Sequence, residues 1–315
     1  MDKRVKIGII GLGHVGTHVL YSLVDQGVGD EIVLIDANEA KAKSEAQDVF
    51  DAQIYHQHKT DVYVGDFKDL KDCDVLIHAA GKITLLIESQ NRDSELFFTT
   101  EMVRSYIPKI KESGFNGILI NITNPCDVIT EEFAKGLQLP PGHIFGTGTG
   151  LDTARLKAQL SKRTGISAKS ITAFMIGEHG NAQFCPWSVV NVQGRSFEQL
   201  QKEDERFHFE PDEISQAAAQ GGWVTFAGKH CTEYAIAATA VRDAIAVIHD
   251  EKIIMPTSTH LQNYLGESNV FAGVPCVIGK DGVEEIIELP LNDEERQRFH
   301  ECCESIRKNI SKVNS

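Results

Sequence analysis

The sequence predicts an α/β protein in two parts: a doubly wound parallel sheet followed by an α+β domain. Strand and helix patterns alternate through the first half of the chain, as expected of a parallel sheet whose crossovers are helices. A glycine-rich turn joins the first strand to the first helix, and the alternation ends at a second glycine-rich stretch, residues 146–150. We therefore predict a domain boundary near residue 148, which divides the chain into 1–148 and 149–315.

The elements of the first half follow from two patterns. Residues 5–10 form a continuous apolar run, which indicates a parallel strand buried on both faces. Residues 14–26 carry apolar side chains at helical spacing. The same two patterns then repeat and predict strands 31–35, 61–64, 74–78 and 117–122 and helices 39–53 and about 93–113.

Shorter patterns predict the second half. In chain order they indicate a helix from about 151, strands 171–176 and 186–192, an acidic solvated loop 201–212, and helices 213–220 and 231–249. The Lys280-Asp281-Gly282 turn joins apolar runs 274–278 and 283–289, which is typical of a hairpin. A last helix opens at Asn292, with Glu295 three residues later as a capping-box partner. This mixture is typical of an α+β domain.

Composition excludes several classes of partner. Lys and Arg number 31 against 45 Asp and Glu, so the formal net charge is −14. A surface of this sign repels phosphodiester backbones and anionic lipids, so neither nucleic acid nor membrane is an expected partner. No apolar stretch reaches the roughly 18 residues that a membrane span needs.

Cysteine usage and the N-terminus indicate a location. The seven cysteines form no C-x-x-C pair and have no metal-ligand spacing, so we expect free thiols in a reducing compartment and no metal site. The N-terminal basic residues are followed by an apolar run, residues 7–10, that ends at Gly11 and is too short for a signal peptide. The sequence therefore predicts a cytoplasmic protein.

The first glycine-rich turn predicts a dinucleotide site. Gly11-Leu12-Gly13-His14-Val15-Gly16 follows a strand and opens a helix, the context in which such glycines permit a tight turn, close approach of a pyrophosphate and helix–strand packing. Amides at the helix N-terminus bind phosphate. Asp36 ends the second strand about 20 residues after Gly16, where a carboxylate accepts hydrogen bonds from ribose hydroxyls. Because that charge repels a 2′-phosphate, the sequence predicts a Rossmann domain that binds NAD rather than NADP.

Three residues of the second half suit hydride chemistry on a carboxylic acid. Asp152 and Arg155 are three residues apart on a predicted helix and share a face. His179 lies between glycines just after a predicted strand. A histidine can serve as a base near neutral pH, and an arginine binds a carboxylate in a bidentate fashion. Taken singly, the Asp–Arg pair is more often a surface ion pair, and a lone histidine is more often a packed or solvated side chain.

The combination of motifs is more specific. Three segments carry the pattern: Gly146-Thr147-Gly148-Thr149-Gly150-Leu151-Asp152-Thr153-Ala154-Arg155, Gly177-Glu178-His179-Gly180 and Thr123-Asn124-Pro125-Cys126-Asp127. Together they resemble the L-lactate/malate dehydrogenase family. The resemblance runs from Ile7 to the C-terminal helix and is closest to the branch of L-lactate and L-2-hydroxyisocaproate dehydrogenases. It implies an NAD-dependent enzyme that transfers a hydride between NADH and the C2 carbon of a 2-oxo acid.

The resemblance also implies roles for individual residues. His179 would be the acid/base, Asp152 its orienting partner, and Arg155 the group that binds the substrate carboxylate. Arg92 would be brought in by a closing loop to polarise the carbonyl. Asn124 would hold the carbonyl oxygen or the nicotinamide ribose, and Thr232 would line the pocket beside C3. The residues expected around the cofactor are Gly11, Gly13, His14, Val15, Gly16, Asp36, Ala80, Gly81 and Asn124.

Substrate preference is expected to depend on the loop of residues 82–91. At the position where lactate dehydrogenases of this family carry glutamine and malate dehydrogenases carry arginine, this chain has Thr84, Leu85 and Leu86. An apolar residue cannot pair a second carboxylate, so malate is expected to be a poor substrate. Leu85 and Leu86 would instead contact a larger apolar side chain, such as that of 4-methyl-2-oxopentanoate. An alternative of equal weight is that these leucines pack the loop on its domain and do not contact the substrate.

Other readings of the sequence remain open. Malate dehydrogenase is the alternative within the family. An NAD-dependent glycosidase would need a metal site, and a non-catalytic NAD-sensing module would have no use for Asp152, Arg155 and His179. The resemblance implies a homotetramer or homodimer. The Ala-rich helix 231–249 and the small residues at Gly221-Gly222 could pack against another subunit or within the chain.

Overall fold

A computed structural model describes residues 4–82 and 92–314. Its strands are β1 Lys6–Ile10, β2 Glu31–Ile35, β3 Asp61–Val64, β4 Val75–His78, β5 Ile118–Asn121, β6 Ile144–Gly146, β7 Ile171–Thr172, β8 Asn191–Val192, β9 Arg195–Ser196, β10 Ile253–His260, β11 Phe271–Gly279 and β12 Gly282–Ile286. Its α-helices over the same residues are α1 His14–Asp25, α2 Glu39–Ala52, α3 Arg92–Ser113, α4 Cys126–Leu137, α5 Gly150–Thr164, α6 Phe197–Glu203, α7 Pro211–Lys229, α8 Tyr234–Ile248 and α9 Asp293–Val313.

The central sheet contains both parallel and antiparallel strands. Strands β3-β2-β1-β4-β5-β6 are parallel neighbours in that order. Strands β10, β11 and β12 extend the sheet beyond β6 in antiparallel pairs. The chain crosses from one side of the sheet to the other between β1 and β4, and ligands bind beyond the carboxyl ends of the strands at such a point. The predicted doubly wound α/β fold is confirmed.

Alternate residues of the buried strands enter two different cores. Ile7 and Ile9 of β1 pack in the core that contains Leu20 of α1. Ile10 packs on the opposite face, in the core that contains Phe133 of α4. Side chains of a strand point alternately to the two faces, so a strand covered by helices on both sides is apolar throughout. This is the physical reason for the continuous apolar run at 5–10.

The second part of the chain adds its own core and rests on the first. Helices α5, α6 and α7 and the small sheet β7-β8-β9 enclose a cluster that includes Leu156, Leu200 and Phe207. Helix α8 instead packs on α1, where the rings of His18 and Tyr234 lie 4.7 Å apart. This contact brings the segment that connects α7 to α8 close to the first glycine-rich turn.

Several predicted elements differ from the structure. The predicted strand 171–176 is wrong beyond Thr172, because Ile176 and Gly177 make only isolated bridges to Phe184 and Gly273. Helix 213–220 is too short, since α7 continues to Lys229. The helix predicted to begin at 231 starts at Tyr234, and α6 occupies part of the predicted acidic loop.

Other elements agree with the prediction in detail. Asn292 caps α9, with a reciprocal capping box to Glu295. The hairpin of β11 and β12 turns at residues 280 and 281. Strand β6 ends at Gly146 and α5 begins at Gly150, and the domain boundary near residue 148 stays a prediction. Over the described residues, the helices are too short or too polar to cross a membrane.

Candidate active site

The first glycine-rich turn has a different steric situation at each glycine. Gly11 has φ +93°, and a Cβ there would lie 2.4 Å from the backbone of Ala80. A Cβ on Gly16 would lie 1.8 Å from the carbonyl oxygen of Gly11. A Cβ on Gly13, by contrast, would meet no described atom within 4 Å. Gly11 and Gly16 are therefore required by the protein itself, whereas the free space at Gly13 is available to a ligand.

Polar groups around this space fit a dinucleotide. Helix α1 begins at His14 with no side-chain hydrogen bond at its N-cap, so the amides of its first turn, including those of Val15 and Gly16, can bind phosphate. The Asp36 carboxylate is fixed at the end of β2, since its Oδ2 accepts from Leu12 N at 2.6 Å and its Oδ1 from Asn38 N at 2.8 Å. A carboxylate held in this way can accept hydrogen bonds from ribose hydroxyls.

The neighbouring strand ends complete this side of the site. Ala80 and Gly81 follow β4, and Thr123 Oγ1 donates to the carbonyl of Ala80 at 2.6 Å. Asn124 follows β5 and is exposed. Because the carboxyl ends of parallel strands share one edge of a sheet, Asn124 lies on the same edge as the glycine-rich turn.

A buried polar chain supports this edge and could not be foreseen from the sequence. Asn121 Oδ1 accepts from Thr123 N at 3.1 Å and lies 2.8 Å from His78 Nδ1, which therefore carries the proton. His78 Nε2 in turn accepts from the Tyr106 hydroxyl. Burial lowers the pKa of His78 to about 4, so the ring is neutral at physiological pH. These hydrogen bonds between Tyr106, His78, Asn121 and Thr123 fix the backbone just before Asn124.

Asp152 joins the two other candidate residues of the site. Its Oδ2 lies 2.8 Å from His179 Nδ1, and its Oδ1 accepts from Arg155 Nη1 at 3.3 Å. Asp152 occupies the first turn of α5 and is buried, whereas His179 and Arg155 each keep about a fifth of their side-chain area exposed, 21% in both cases. One carboxylate therefore holds both an imidazole and a guanidinium.

The pair Asp152–His179 perturbs both pKa values. Burial alone would lower the pKa of His179, but the charge of Asp152 and its hydrogen bond outweigh burial, so the pKa is raised. Burial alone would likewise raise the pKa of Asp152, but the interaction with His179 and then with Arg155 lowers it. The pair therefore favours the imidazolium–carboxylate state. With Nδ1 directed at Asp152, Nε2 is the ring atom left for a substrate.

Two residues position His179 from behind. The Asp127 carboxylate accepts from His179 N at 2.9 Å and from Ser258 Oγ at 2.5 Å. Burial raises the pKa of Asp127 to about 6, although both hydrogen bonds oppose that rise. Sequence reasoning placed Asp127 in a family segment without a role and did not consider Ser258. Since Asp127 follows Asn124 by three residues, this contact also attaches His179 to the edge of the sheet that carries the first glycine-rich turn, called the dinucleotide turn below.

Arg155 is positioned by the α7–α8 region. Its Nη2 donates to Thr232 Oγ1 at 3.2 Å. A Cβ on Gly222 would lie 3.2 Å from Arg155 Nη1, so the glycine leaves room for the guanidinium. Gly222 therefore packs against Arg155 within the chain. Of the two interpretations of Gly221-Gly222, this contact agrees with packing within the chain.

Three predicted residues have no described side chain. Leu85 and Leu86 lie outside the described residues. Arg92 is the first residue of α3, but its side chain also lies outside the described structure. The expectations for these three residues stay predictions.

Comparison with known proteins agrees with this arrangement. Residues 5–146 match the family described as lactate/malate dehydrogenase, NAD binding domain, and residues 149–315 match its alpha/beta C-terminal domain. An L-lactate dehydrogenase of Fusobacterium nucleatum is 38% identical over 312 residues, which cover 98% of this chain and 97% of that protein. L-lactate dehydrogenase 3 of Bacillus anthracis is 36% identical over 93% of each chain.

Solved structures of similar proteins have the same fold. The minor L-lactate dehydrogenase of Enterococcus mundtii superposes with a TM-score of 0.93 at 28% identity, over 98% of each chain. Malate dehydrogenase of Cryptosporidium parvum superposes with a TM-score of 0.89 at 26% identity, over 99% of each chain. Similarity of fold extends to both branches, so fold alone does not select the substrate.

The fold and the paired sites define a class of protein: an NAD-dependent oxidoreductase that acts on the CH–OH group of 2-hydroxy acids. The chain belongs to the lactate/malate dehydrogenase family. The resemblance derived from the sequence motifs is confirmed, and NAD is the cofactor, as predicted.

Proposed function

We propose that this protein is an L-2-hydroxy acid dehydrogenase of the L-lactate dehydrogenase type, which reduces 2-oxo acids with NADH and catalyses the reverse oxidation. The observation that carries the proposal is the shared carboxylate of Asp152, which contacts His179 at 2.8 Å and Arg155 at 3.3 Å. A group that can exchange a proton and a group that can bind a carboxylate are thereby held by the same side chain. A 2-oxo acid carries its carbonyl and carboxylate on adjacent carbons, so it fits both groups at once.

In this proposal the residues divide the chemistry as follows. Bound NADH supplies the hydride for C2. Arg155 binds the substrate carboxylate, with Thr232 limiting the movement of the guanidinium. His179 donates the proton held at Nε2 to the carbonyl oxygen, and Asp152 stabilises the imidazolium beforehand. Asn124 holds the carbonyl oxygen or the ribose, and Arg92 polarises the carbonyl from the loop side.

The cofactor residues are assigned by the same reasoning. Gly13 lies where a pyrophosphate needs free space, and the first-turn amides of His14, Val15 and Gly16 bind its charge. Asp36 binds the adenosine ribose. Gly11, Ala80 and Gly81 form the wall between β1 and β4.

The proposed substrate class is 2-oxo acids with an apolar side chain. The names of the relatives support pyruvate, and the sequence position of Leu85 and Leu86 supports a larger chain such as that of 4-methyl-2-oxopentanoate. A second carboxylate would have no cation at these positions, which disfavours oxaloacetate.

A substrate panel tests the proposal. The ratio kcat/KM is measured with NADH for pyruvate, 2-oxobutanoate, 4-methyl-2-oxopentanoate and oxaloacetate. We expect an apolar 2-oxo acid to be preferred. Preference for oxaloacetate would overturn the substrate assignment in favour of malate dehydrogenase, and no oxidation of NADH with any of the four would overturn the proposed function.

We also propose that the protein is a cytoplasmic homodimer or homotetramer. Its cysteines are buried free thiols, as expected in a reducing compartment. Phe50 in the last turn of α2 and Ile54 and Tyr55 just after that helix are 66%, 80% and 89% exposed, and large exposed apolar side chains that are close in the sequence fit a subunit interface. Light scattering coupled to gel filtration measures the assembly, and a monomer at micromolar concentration would contradict it.

A further inference from the structure

Three side chains with metal-ligand chemistry converge beside the dinucleotide turn. His14 belongs to the first turn of α1, whereas Cys231 and Glu233 belong to the segment that connects α7 to α8. Glu233 Oε1 lies 2.9 Å from His14 Nδ1 and 3.3 Å from Cys231 Sγ. The three ligand atoms all lie within 4.8 Å of one another. The group combines nitrogen, sulfur and oxygen donors from two distant parts of the chain.

These separations match the edges of a small coordination polyhedron. Zn²⁺ binds Cys sulfur at about 2.3 Å and His nitrogen or carboxylate oxygen at about 2.0–2.2 Å, so tetrahedral ligands lie roughly 3.3–3.6 Å apart. The observed separations from Glu233 Oε1 differ from that range by a few tenths of an ångström. The third separation, between His14 Nδ1 and Cys231 Sγ, is at most 4.8 Å, so rotation of the exposed His14 side chain is needed to place all three donors on one ion.

The charges around Glu233 leave one of its oxygens for a cation. Oε2 pairs with the Lys229 ammonium, which also lies 3.5 Å from the centre of the Tyr234 ring. Oε1 is the atom directed at His14 and Cys231. A metal ion can therefore bind Oε1 without displacing Lys229. Cys231 and Glu233 are buried, while the His14 side chain is 65% exposed, so an ion enters from the solvent side and keeps water as a fourth ligand.

We infer that His14, Cys231 and Glu233 form a binding site for a thiophilic divalent cation such as Zn²⁺. Binding forms a metal–sulfur bond and transfers the thiol proton of Cys231 to solvent, with no change of oxidation state. The bound ion joins the turn that contains Gly13 to the segment that contains Thr232, the residue in contact with Arg155. Occupation of this site therefore restrains both the cofactor side and the substrate side, and we expect Zn²⁺ to inhibit the enzyme.

The competing interpretation is a metal-free network in which the imidazole and the thiol both donate to Glu233 Oε1. The two interpretations differ in the state of the sulfur. A metal ion requires a thiolate bonded to it, whereas the network retains the thiol. Cobalt reports this difference, because Co²⁺ replaces Zn²⁺ and absorbs in the near ultraviolet only when a thiolate is bound to it.

The test uses the full chain, freed of metal with EDTA and then dialysed. Wild-type protein is titrated with Co²⁺ by absorption and with Zn²⁺ by calorimetry, in parallel with Cys231→Ser. His249→Gln, at an exposed histidine that follows α8, is the matched control for histidine loss. We expect one ion per chain with a sulfur-to-cobalt band. Loss of a residue that only hydrogen-bonds to a metal ligand weakens metal affinity about 10–100-fold. Removal of a ligand itself should therefore weaken binding at least about 100-fold.

The outcomes are distinct. No sulfur-to-cobalt band in the wild type, or an equal band in Cys231→Ser, overturns the inference, whereas loss of the band in Cys231→Ser and its retention in His249→Gln support it. Thermal unfolding checks that each variant is folded. If Cys231→Ser does not fold, His14→Gln, at an exposed position, replaces it, and Zn²⁺ binding as tight as that of the wild type would overturn the site.

Discussion

The dinucleotide turn and the group of His179, Asp152 and Arg155 meet at one edge of the sheet but depend on different forces. The turn is formed by neighbouring residues, and its requirements are steric: Gly11 and Gly16 leave no room for a Cβ, and Gly13 leaves room for a ligand. The second group is assembled from distant segments and depends on charge, since Asp152 sets the pKa of His179 and fixes Arg155. Changes in the first should therefore alter cofactor affinity, and changes in the second should alter the rate of chemistry.

Replacing His179 should have the largest effect. His179→Gln removes the proposed proton donor, and positioned general acids contribute about 10²–10⁴-fold. We expect kcat/KM for 2-oxo acid reduction to fall by that factor while the Kd of NADH, measured by fluorescence titration, stays within about twofold. His208→Gln is the control, because His208 is exposed and its carbonyl contacts Arg163 at the opposite end of α5 from Asp152. A large loss of NADH affinity in His179→Gln would show that the two regions are not separable.

Replacing Asp152 should change the pH dependence. In the proposed mechanism reduction uses the imidazolium form of His179, so we expect kcat/KM to fall as pH rises through the pKa of His179 and the oxidation reaction to show the opposite trend. Asp152→Asn removes the charge that raises this pKa, so the falling limb of the reduction profile should move to lower pH. Profiles of both directions measure the shift. An unmoved limb would mean that Asp152 does not act on His179 electrostatically.

Replacing Arg155 by lysine keeps the charge but removes the planar fork. Lysine cannot form the two parallel N–H···O bonds of the guanidinium, and a hydrogen bond to a charged group contributes about 1.5–3 kcal/mol, so kcat/KM should fall roughly 10–150-fold. We expect the loss to be larger for substrates with a carboxylate than for a 2-oxo ester or amide of the same chain. Equal losses for the acid and its ester would contradict carboxylate binding by Arg155.

Substitution of Gly13 should weaken NADH binding without loss of stability, whereas substitution of Gly16 should lower stability. Gly13→Ala fills space that no described atom uses, so the Kd of NADH should rise at least about tenfold, or about 1.4 kcal/mol, with thermal stability unchanged. Gly16→Ala forces a clash with the Gly11 carbonyl oxygen, so it should lower the unfolding temperature even without ligand. If Gly13→Ala binds NADH normally, the pyrophosphate does not lie there.

The smallest effect is expected at Gly222. Gly222→Ala brings a Cβ to 3.2 Å from the Arg155 guanidinium, a contact that a flexible side chain relieves by a small movement. The KM for 2-oxo acids should rise a few-fold, roughly 1 kcal/mol or less. Gly221→Ala is the matched control, because its Cβ would meet no described atom within 4 Å. An equal change in both variants would point to the helix and not to Arg155.

Local patterns predicted much of the fold. The strands of the first half are continuous apolar runs because both faces of the sheet are covered, and the predicted strand 31–35 has the observed bounds. Strand β10 was missed because its polar Thr257 and Ser258 are buried between other strands, which no apolar pattern reveals. The predicted strand beyond Thr172 was wrong because a short apolar run is also compatible with a buried loop.

The candidate site divides in the same way. Motif spacing was sufficient to select His179, Asp152 and Arg155, because their residue types and neighbours carry the family pattern. It could not select Ser258 beside Asp127, Gly222 against Arg155 or His78 beside Asn121, since each acts through a contact with a residue distant in the chain. The expected absence of a metal site was inferred from the spacing of the cysteines and stays a prediction.

What the sequence determined by itself is the set of features that need only neighbouring residues: the glycine-rich turn with Asp36, the capped last helix, and the alternation of strands and helices up to about residue 122. Backbone sterics, capping and hydrophobic periodicity act over a few residues, so they can be recognised from the sequence. Only the tertiary structure decided which charges meet, as at Asp152 and at Glu233, because electrostatic contacts depend on distance in space and the sequence gives only distance along the chain.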